Sequence, residues 1–461
     1  MIEKLSGLDI LVIVIFLLVT TWLSRSRRGQ PPKQNGNEFL LMSRGLTLPL
    51  FIATLTSTWY GGIFGVTQIA YEKGIYSFFT QGLFWYLPYA FFAIFLVKRI
   101  RQFQVSSLPE LLGAKYGPTA RKYSALVIFC HALPVTYGIC LGVLINMLFG
   151  WHYLWGMSLG VTLVAGYCAV GGFRAIVKTD AWQFVFMFVA VISLTVATWS
   201  HYGGWDFLQA HLPKSHFDWR GDSTLTAVIW LLIASSSTLV HPVFYQRCLA
   251  AKSDKVAITG IFIAMACWLV FDICTTVGGL YARAILPHAP SEQAYFLLGL
   301  ELMPTGLRGL FVAGIAATIL STLDSFLFIS ATSLSYDFMG SNQVHTHRVS
   351  IVVSSVILVG LAMIFGARFE AVWYFMESVF SVCLVVPTLV ALFIKQAFSG
   401  RTFLFASILS LLTFLGGHLW LMDGPWASAP FLLAHSVAIA TFLASKVKDQ
   451  AQTKLAVAAN L

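Results

Sequence analysis

The chain has 461 residues, of which 58% are apolar and only 10% charged, and it carries a formal net charge of +10. Soluble proteins carry roughly a quarter of their residues as charges, so this composition excludes a soluble globular protein and implies an all-α polytopic membrane protein. The positive balance calls for no nucleic-acid partner, because basic loops facing anionic cytoplasmic lipid account for it.

Crossing about 30 Å of hydrocarbon takes about 20 helical residues, and stretches of that kind occur at about thirteen places. In chain order they are 8–24, 46–70, 78–97, 124–149, 151–170, 179–200, 225–245, 256–282, 307–336, 348–366, 371–397, 402–420 and 427–445. The first, "LDILVIVIFLLVTTWL", lacks a small-residue cleavage site and precedes a basic cluster, so it reads as a retained helix. Lys and Arg favour cytoplasmic loops. With the N-terminus outside and the C-terminus cytoplasmic, the loops on the inner side hold 22 of the 29 basic residues, including those in "QRCLAAKSDK". The expected location is the cytoplasmic (plasma or inner) membrane. The tail, 446–461, reads as a short cytoplasmic segment with no room for a nucleotide-binding domain. The seven cysteines show no metal-ligand spacing, so neither a disulfide scaffold nor a zinc site is expected.

Spans two to six and seven to eleven form two blocks of five, repeat one at 46–200 and repeat two at 225–397, with 8–24 and 402–445 as additions at either end. Five is odd, so the second block crosses the membrane in the opposite sense, as in inverted-repeat transporters. Both leading helices carry breakers at matching depth. The first reads "IATLTSTWYGGIFGV" and the second "LLIASSSTLVHPVFYQR". Paired glycines and a proline both weaken a helix, and irregular backbone at that depth persists only inside protein or beside a cavity. Small residues that merely let helices pack closely are the competing explanation.

Span 307–336 contains "ATILSTLDSFLF" at its centre. At 100° per residue, Thr318, Ser321, Thr322 and Ser325 share a face with Asp324 on its shoulder. A face of oxygen alone suits a hard cation such as sodium. A carboxylate at that depth is expected to meet a cation, accept a proton or hydrogen-bond to a neighbour. The hydroxyls could instead bond back to their own helix. Candidates for a solute pocket are Trp59, Tyr60, Ser236, Ser237 and His241, with Gln81, Trp85 and Tyr137 beside them. Asp272 and Glu377 are further intramembrane carboxylates, whereas His345 and His347 are expected to be solvated in a cytoplasmic loop. With no Ser-His-Asp order, metal motif or nucleotide loop, neither an enzyme nor an organic cofactor is expected.

Five segments, "RGLTLPLFIATLTSTWYGG", "SSLPELLGAKYG", "VGGFRAIVKTDAWQF", "PVFYQRCLAAKSDK" and "GLFVAGIAATILSTLDSFLFISATSLSYD", resemble the sodium:solute symporter family in order and spacing. The resemblance extends over residues 6–445. It implies a leucine-transporter-like five-plus-five fold and sodium-coupled symport of a small organic solute by alternating access. One sodium would lie between carbonyls near Ser57 and Tyr60 and the group Thr318, Ser321 and Thr322. Positions matching the second sodium site of some members are Asp180, Asp324 and Ser325. Asp324 departs from that pattern, since a hydroxyl is usual there, and the departure leaves open sodium binding, proton transfer or a bracing role. A proton-coupled carrier with Asp324 as titrating group, or a transporter-derived solute sensor, are the alternatives. The partners implied are Na+, a small solute and membrane lipid, without an obligate protein partner.

Overall fold

A computed structural model of the chain describes residues 5–25, 36–221, 223–365, 369–420 and 429–459. Among them the regular structure is helical, and strand-like pairing is limited to an isolated bridge between Leu46 and Ala251. Most of the basic loop expected after the first span lies outside the described residues.

The first helix, α1 (Gly7–Arg25), exposes Leu11, Leu18 and Trp22 on its outer side. A break then divides the first core helix into α2 (Leu48–Ser57) and α3 (Ile63–Lys73). Thr47 is extended and Pro49 occupies the first turn of α2, where its missing N–H costs nothing. At the other end Ser57 and Thr58 turn their hydroxyls back onto the carbonyls of Ala53 and Thr54, at 2.7 and 2.6 Å, a bonding pattern that competes with helix continuation. Gly61 then passes close to another helix. A Cβ there would lie 2.5 Å from that of Thr322, so the contact admits only glycine.

The next spans are α4 (Phe78–Gln102), α5 (Pro118–His131), α6 (Val135–Phe149) and α7 (Tyr153–Tyr202). A straight helix of 50 residues would be about 75 Å long, over twice the hydrocarbon thickness. Gly172, with φ 58° and ψ −154°, interrupts α7 between the two spans expected there. Repeat two begins with α8 (Leu225–Ala234), tightens into a 3-10 turn over Ser235–Val240, passes through extended His241 and resumes at Pro242 as α9 (Pro242–Ala250). Both leading helices are therefore broken. The rest comprises α10 (Asp254–Ile285), α11 (Leu307–Thr332), α12 (Val344–Phe365), α13 (Phe369–Phe393), α14 (Gly400–Trp420) and α15 (Ala429–Ala459), the last continuing through most of the expected tail.

Eleven helical stretches among the described residues are long and apolar enough to cross a membrane, counting α5–α6, α7 and α8–α9 once each and omitting the broken α2–α3. The span built on α11 is the hub, with 94% of its apolar window buried inside the protein, against 22% for α1 and 28% for each of α14 and α15. Packing thus puts the repeats at the centre and the additional helices outside. Asp9 of α1 joins the two zones, because its Oδ1 accepts from the backbone N–H groups of Gly306 and Gly309, at 2.7 and 2.8 Å, and caps the start of α11.

One expectation about the cytoplasmic loop requires correction. His345 is exposed, but His347 is buried, with Nδ1 2.7 Å from Ser335 Oγ and its ring stacked on Phe39. The helix α12 starts at Val344 and carries His347 inward, where imidazole shields an apolar contact while bonding to a hydroxyl.

Candidate functional site

Thr318, Ser321 and Thr322 lie fully buried on α11, facing the break between α2 and α3. Thr318 Oγ1 donates to Ile315 O at 2.7 Å, and Thr322 Oγ1 donates to Thr318 O at 3.1 Å. Their protons are thereby directed along their own helix, while each oxygen retains lone pairs. Ser321 Oγ lies 2.8 Å from Ser57 O and also within reach of Ala317 O and Thr318 O, at 2.8 and 3.2 Å. One hydroxyl proton faces these three oxygens and, at 4.0 Å, Met187 Sδ, so acceptor capacity exceeds donor supply. An excess of oxygen acceptors, with one thioether at its edge, is the chemistry that receives a hard monovalent cation. The Tyr60 side chain points elsewhere, donating to Asp272 Oδ1 at 2.5 Å, so any part it plays in this cradle falls to its backbone.

Asp180, Ser325 and Asp324 lie close to a buried cation supplied by the chain itself, while Asp180 Oδ1 is buried without a hydrogen-bond partner among the described residues. Arg247 stands among the first two, fully buried on α9. Its Nη2 donates to Thr58 Oγ1 at 2.5 Å and Ser325 Oγ at 2.8 Å, and pairs with Asp180 Oδ2 at 3.4 Å. Thr54 also donates to that carboxylate oxygen, at 2.5 Å. Asp324 accepts from Tyr167 at 2.6 Å through Oδ2, leaving Oδ1 buried without a hydrogen-bond partner among the described residues. Counting Arg247 among the cytoplasmic-loop charges missed its role, since burial removes it from any loop. The signal that could have found it is an intramembrane Asp180 that needs a counter-charge.

A cavity adjoins this region, bounded by Thr58, Trp59, Tyr60, Gln81, Trp85, Tyr137, His241, Phe326 and Glu377 among others. Its lining is mostly apolar and aromatic with a few polar groups, the make-up of small-ligand sites. Trp59 is central, edge-on to His241 at 4.9 Å and to Trp85 at 5.9 Å. Ser237 lines a smaller neighbouring cavity with Glu377, whereas Ser236 lines neither. Asp272 is occupied behind the pocket by Tyr60 and Tyr86. His131 was not anticipated and stands beside Glu377, its Nε2 3.8 Å from Oε1. These two residues are 246 positions apart in sequence, and no local spacing brings them together.

The family model described as "Sodium:solute symporter family" matches residues 39–400. The human sodium-coupled monocarboxylate transporter 2 is 25% identical over 365 residues, covering 72% of this chain and 57% of that transporter. The chain thus matches little more than half the length of those monocarboxylate transporters. A sodium/glucose cotransporter of Vibrio parahaemolyticus is 24% identical over 93% of this chain and 87% of its own. Among solved structures, a Na+-coupled sialic acid symporter in a substrate-bound outward-open state superposes with a TM-score of 0.77 at 15% identity, covering 96% of this chain and 98% of its own. A second, MhsT in complex with L-phenylalanine, gives 0.54 at 16% identity over 86% of this chain and 98% of its own. Their likeness is one of fold, a broken-helix inverted repeat. With the family match covering most of its length, this chain belongs to the sodium:solute symporter family.

Proposed function

We propose that the chain couples the downhill entry of a single Na+ to the uptake of a small organic solute across the cytoplasmic membrane. The N-terminus would lie outside, and the two repeats, 46–200 and 225–397, would alternate access to one central site. The observation that carries this reading is the double use of the break between α2 and α3. Ser57 O meets Ser321 on the ion side, while Thr58, Trp59, Tyr60 and Gly62 bound the cavity. An ion and a solute that both hold one hinge favour the same conformer, which is the thermodynamic requirement for coupling.

Arg247 supports the single-ion reading. A guanidinium bonded to Thr58 and Ser325 and paired with Asp180 already supplies positive charge at the second set of candidate ligands, leaving Thr318, Ser321 and Thr322 with the break to hold the transported ion. The cavity wall includes Glu377 and His241 but no Lys or Arg. This argues for a neutral or amine-bearing solute rather than the free monocarboxylates named for one group of relatives. Reconstitution in proteoliposomes provides the test. A sodium gradient should drive accumulation that collapses when choline replaces sodium at fixed pH, with a hyperbolic dependence on sodium. Undiminished uptake in choline would rule out sodium coupling and return Asp324 to consideration as a proton carrier.

A further inference from the structure

Three side chains from distant parts of the chain converge where the solute cavity, lined by His241 and Glu377, meets a smaller cavity lined by His131 and Glu377, and the ion cradle uses none of them. They are His131 at the end of α5, His241 in the extended link before α9, and Glu377 on α13. One donor atom from each lies within 4.8 Å of the other two. His131 is 8% exposed and His241 2%. Even so, both ring nitrogens of His131, Nδ1 of His241 and Oε2 of Glu377 are buried without a hydrogen-bond partner among the described residues. Buried polar groups are normally satisfied, so several orphans gathered at one point imply a missing ligand.

The chemistry of the donors narrows that ligand. Two imidazoles and a carboxylate are ligands for borderline divalent cations of the zinc type, unlike the all-oxygen group on α11. Packing already orients both rings. His131 stacks on Phe380 with centroids 4.0 Å apart and planes 9° from parallel, and His241 meets His131 edge-on at 5.4 Å. We propose that His131, His241 and Glu377 bind one divalent transition-metal ion, preferentially Zn2+, with a fourth coordination position open to the solute cavity.

Tetrahedral zinc with bonds of about 2.0–2.1 Å sets ligand atoms roughly 3.3 Å apart. The His131–Glu377 gap of 3.8 Å therefore needs a small contraction, and the His241 donor, within 4.8 Å of both, a closer approach. Metal binding would join three separate helical elements. His241 sits at the hinge of the second broken helix, which has to flex if access alternates. Zinc there fixes the hinge and arrests transport, a consequence that rests on the symport reading, whereas metal binding itself does not.

Titration of the detergent-purified full chain with ZnCl2 in metal-free buffer tests the site. One equivalent of zinc should bind per chain. His131→Ala and Glu377→Gln should each weaken binding at least tenfold, and His131→Cys, which supplies a thiolate, should restore it relative to His131→Ala. Rescue by cysteine separates a ligand from a residue needed only for packing. Absence of a stoichiometric zinc site, or equal binding by wild type and both ligand-removing variants, overturns the proposal. In proteoliposomes, saturating zinc should lower sodium-driven uptake by the wild type at least tenfold, and unchanged uptake at saturation overturns the arrest. A complete lack of sodium-driven uptake without zinc would overturn the symport reading instead, leaving the titration to judge the metal site.

Discussion

Replacing Arg247 tests most of the reasoning about ion number. Its Nη2 contacts Thr58, Ser325 and Asp180 at 2.5, 2.8 and 3.4 Å, and both it and Asp180 are fully buried. Arg247→Ala keeps the three oxygen-bearing side chains and removes the charge, stranding Asp180 with Thr54 as its donor. Breaking a buried ion pair costs about 3–5 kcal/mol. The contact with Asp180 is long for a charged hydrogen bond, which points to the lower end, about 3 kcal/mol. A cation at a hundred times its Kd stabilises a folded protein by about 2.7 kcal/mol, so sodium entering the vacated space would offset most of the loss. The variant should melt well below wild type in choline chloride and recover most of the difference in sodium chloride at equal ionic strength. Its uptake should become sigmoidal in sodium. Adding Asp180→Asn removes the stranded charge and should restore stability in choline. The reasoning is refuted by a wild type that is itself sigmoidal in sodium, or by an Arg247→Ala protein that melts at the same temperature in both salts.

Three further outcomes are expected. Ser321→Ala deletes the oxygen nearest Ser57 O and should raise the half-saturating sodium concentration about tenfold, equivalent to about 1.4 kcal/mol, as read from initial uptake rates. Gly61→Ala would drive a Cβ to 2.5 Å from that of Thr322, so the protein should insert normally yet lose uptake, as measured by surface labelling and transport together. Asp9→Ala removes the acceptor for two N–H groups at the start of α11. It should cost about 1–2 kcal/mol, in the range measured for helix caps, lowering the melting temperature while leaving the half-saturating sodium concentration unchanged.

Much of the architecture was readable in the sequence because hydrocarbon imposes a length on every span and a penalty on every unpaired backbone group. Gly61, Gly62 and Pro242 announce the two breaks through backbone chemistry that no tertiary contact needs to supply. The face shared by Thr318, Ser321 and Thr322 follows from helical periodicity alone. Arg247 was misread for the opposite reason. Its sequence neighbourhood resembles a basic loop, and only three-dimensional packing delivers it to Asp180, 67 residues earlier. The same holds for His131, whose partners His241 and Glu377 come from other helices, and for His347, which the first turn of α12 rotates from water into the protein.

Arg247 touches the cavity only through Thr58, yet on the single-ion reading it limits how far a solute can be concentrated. One sodium falling through 100 mV releases about 2.3 kcal/mol, and a tenfold concentration ratio adds about 1.4 kcal/mol. Together they support accumulation of a neutral solute by a few hundredfold. A second sodium would double the free energy and square that ratio, to about 10⁵. A resident guanidinium pairs with Asp180 through Oδ2 but does no transport work, because it is part of the chain. On this reading it stands in for one ion. On the single-ion reading Arg247 keeps a positive charge bonded to Thr58 beside the hinge when sodium is scarce, so the loss of sodium should lower the rate of uptake without lowering the melting temperature by the cost of an unpaired Asp180.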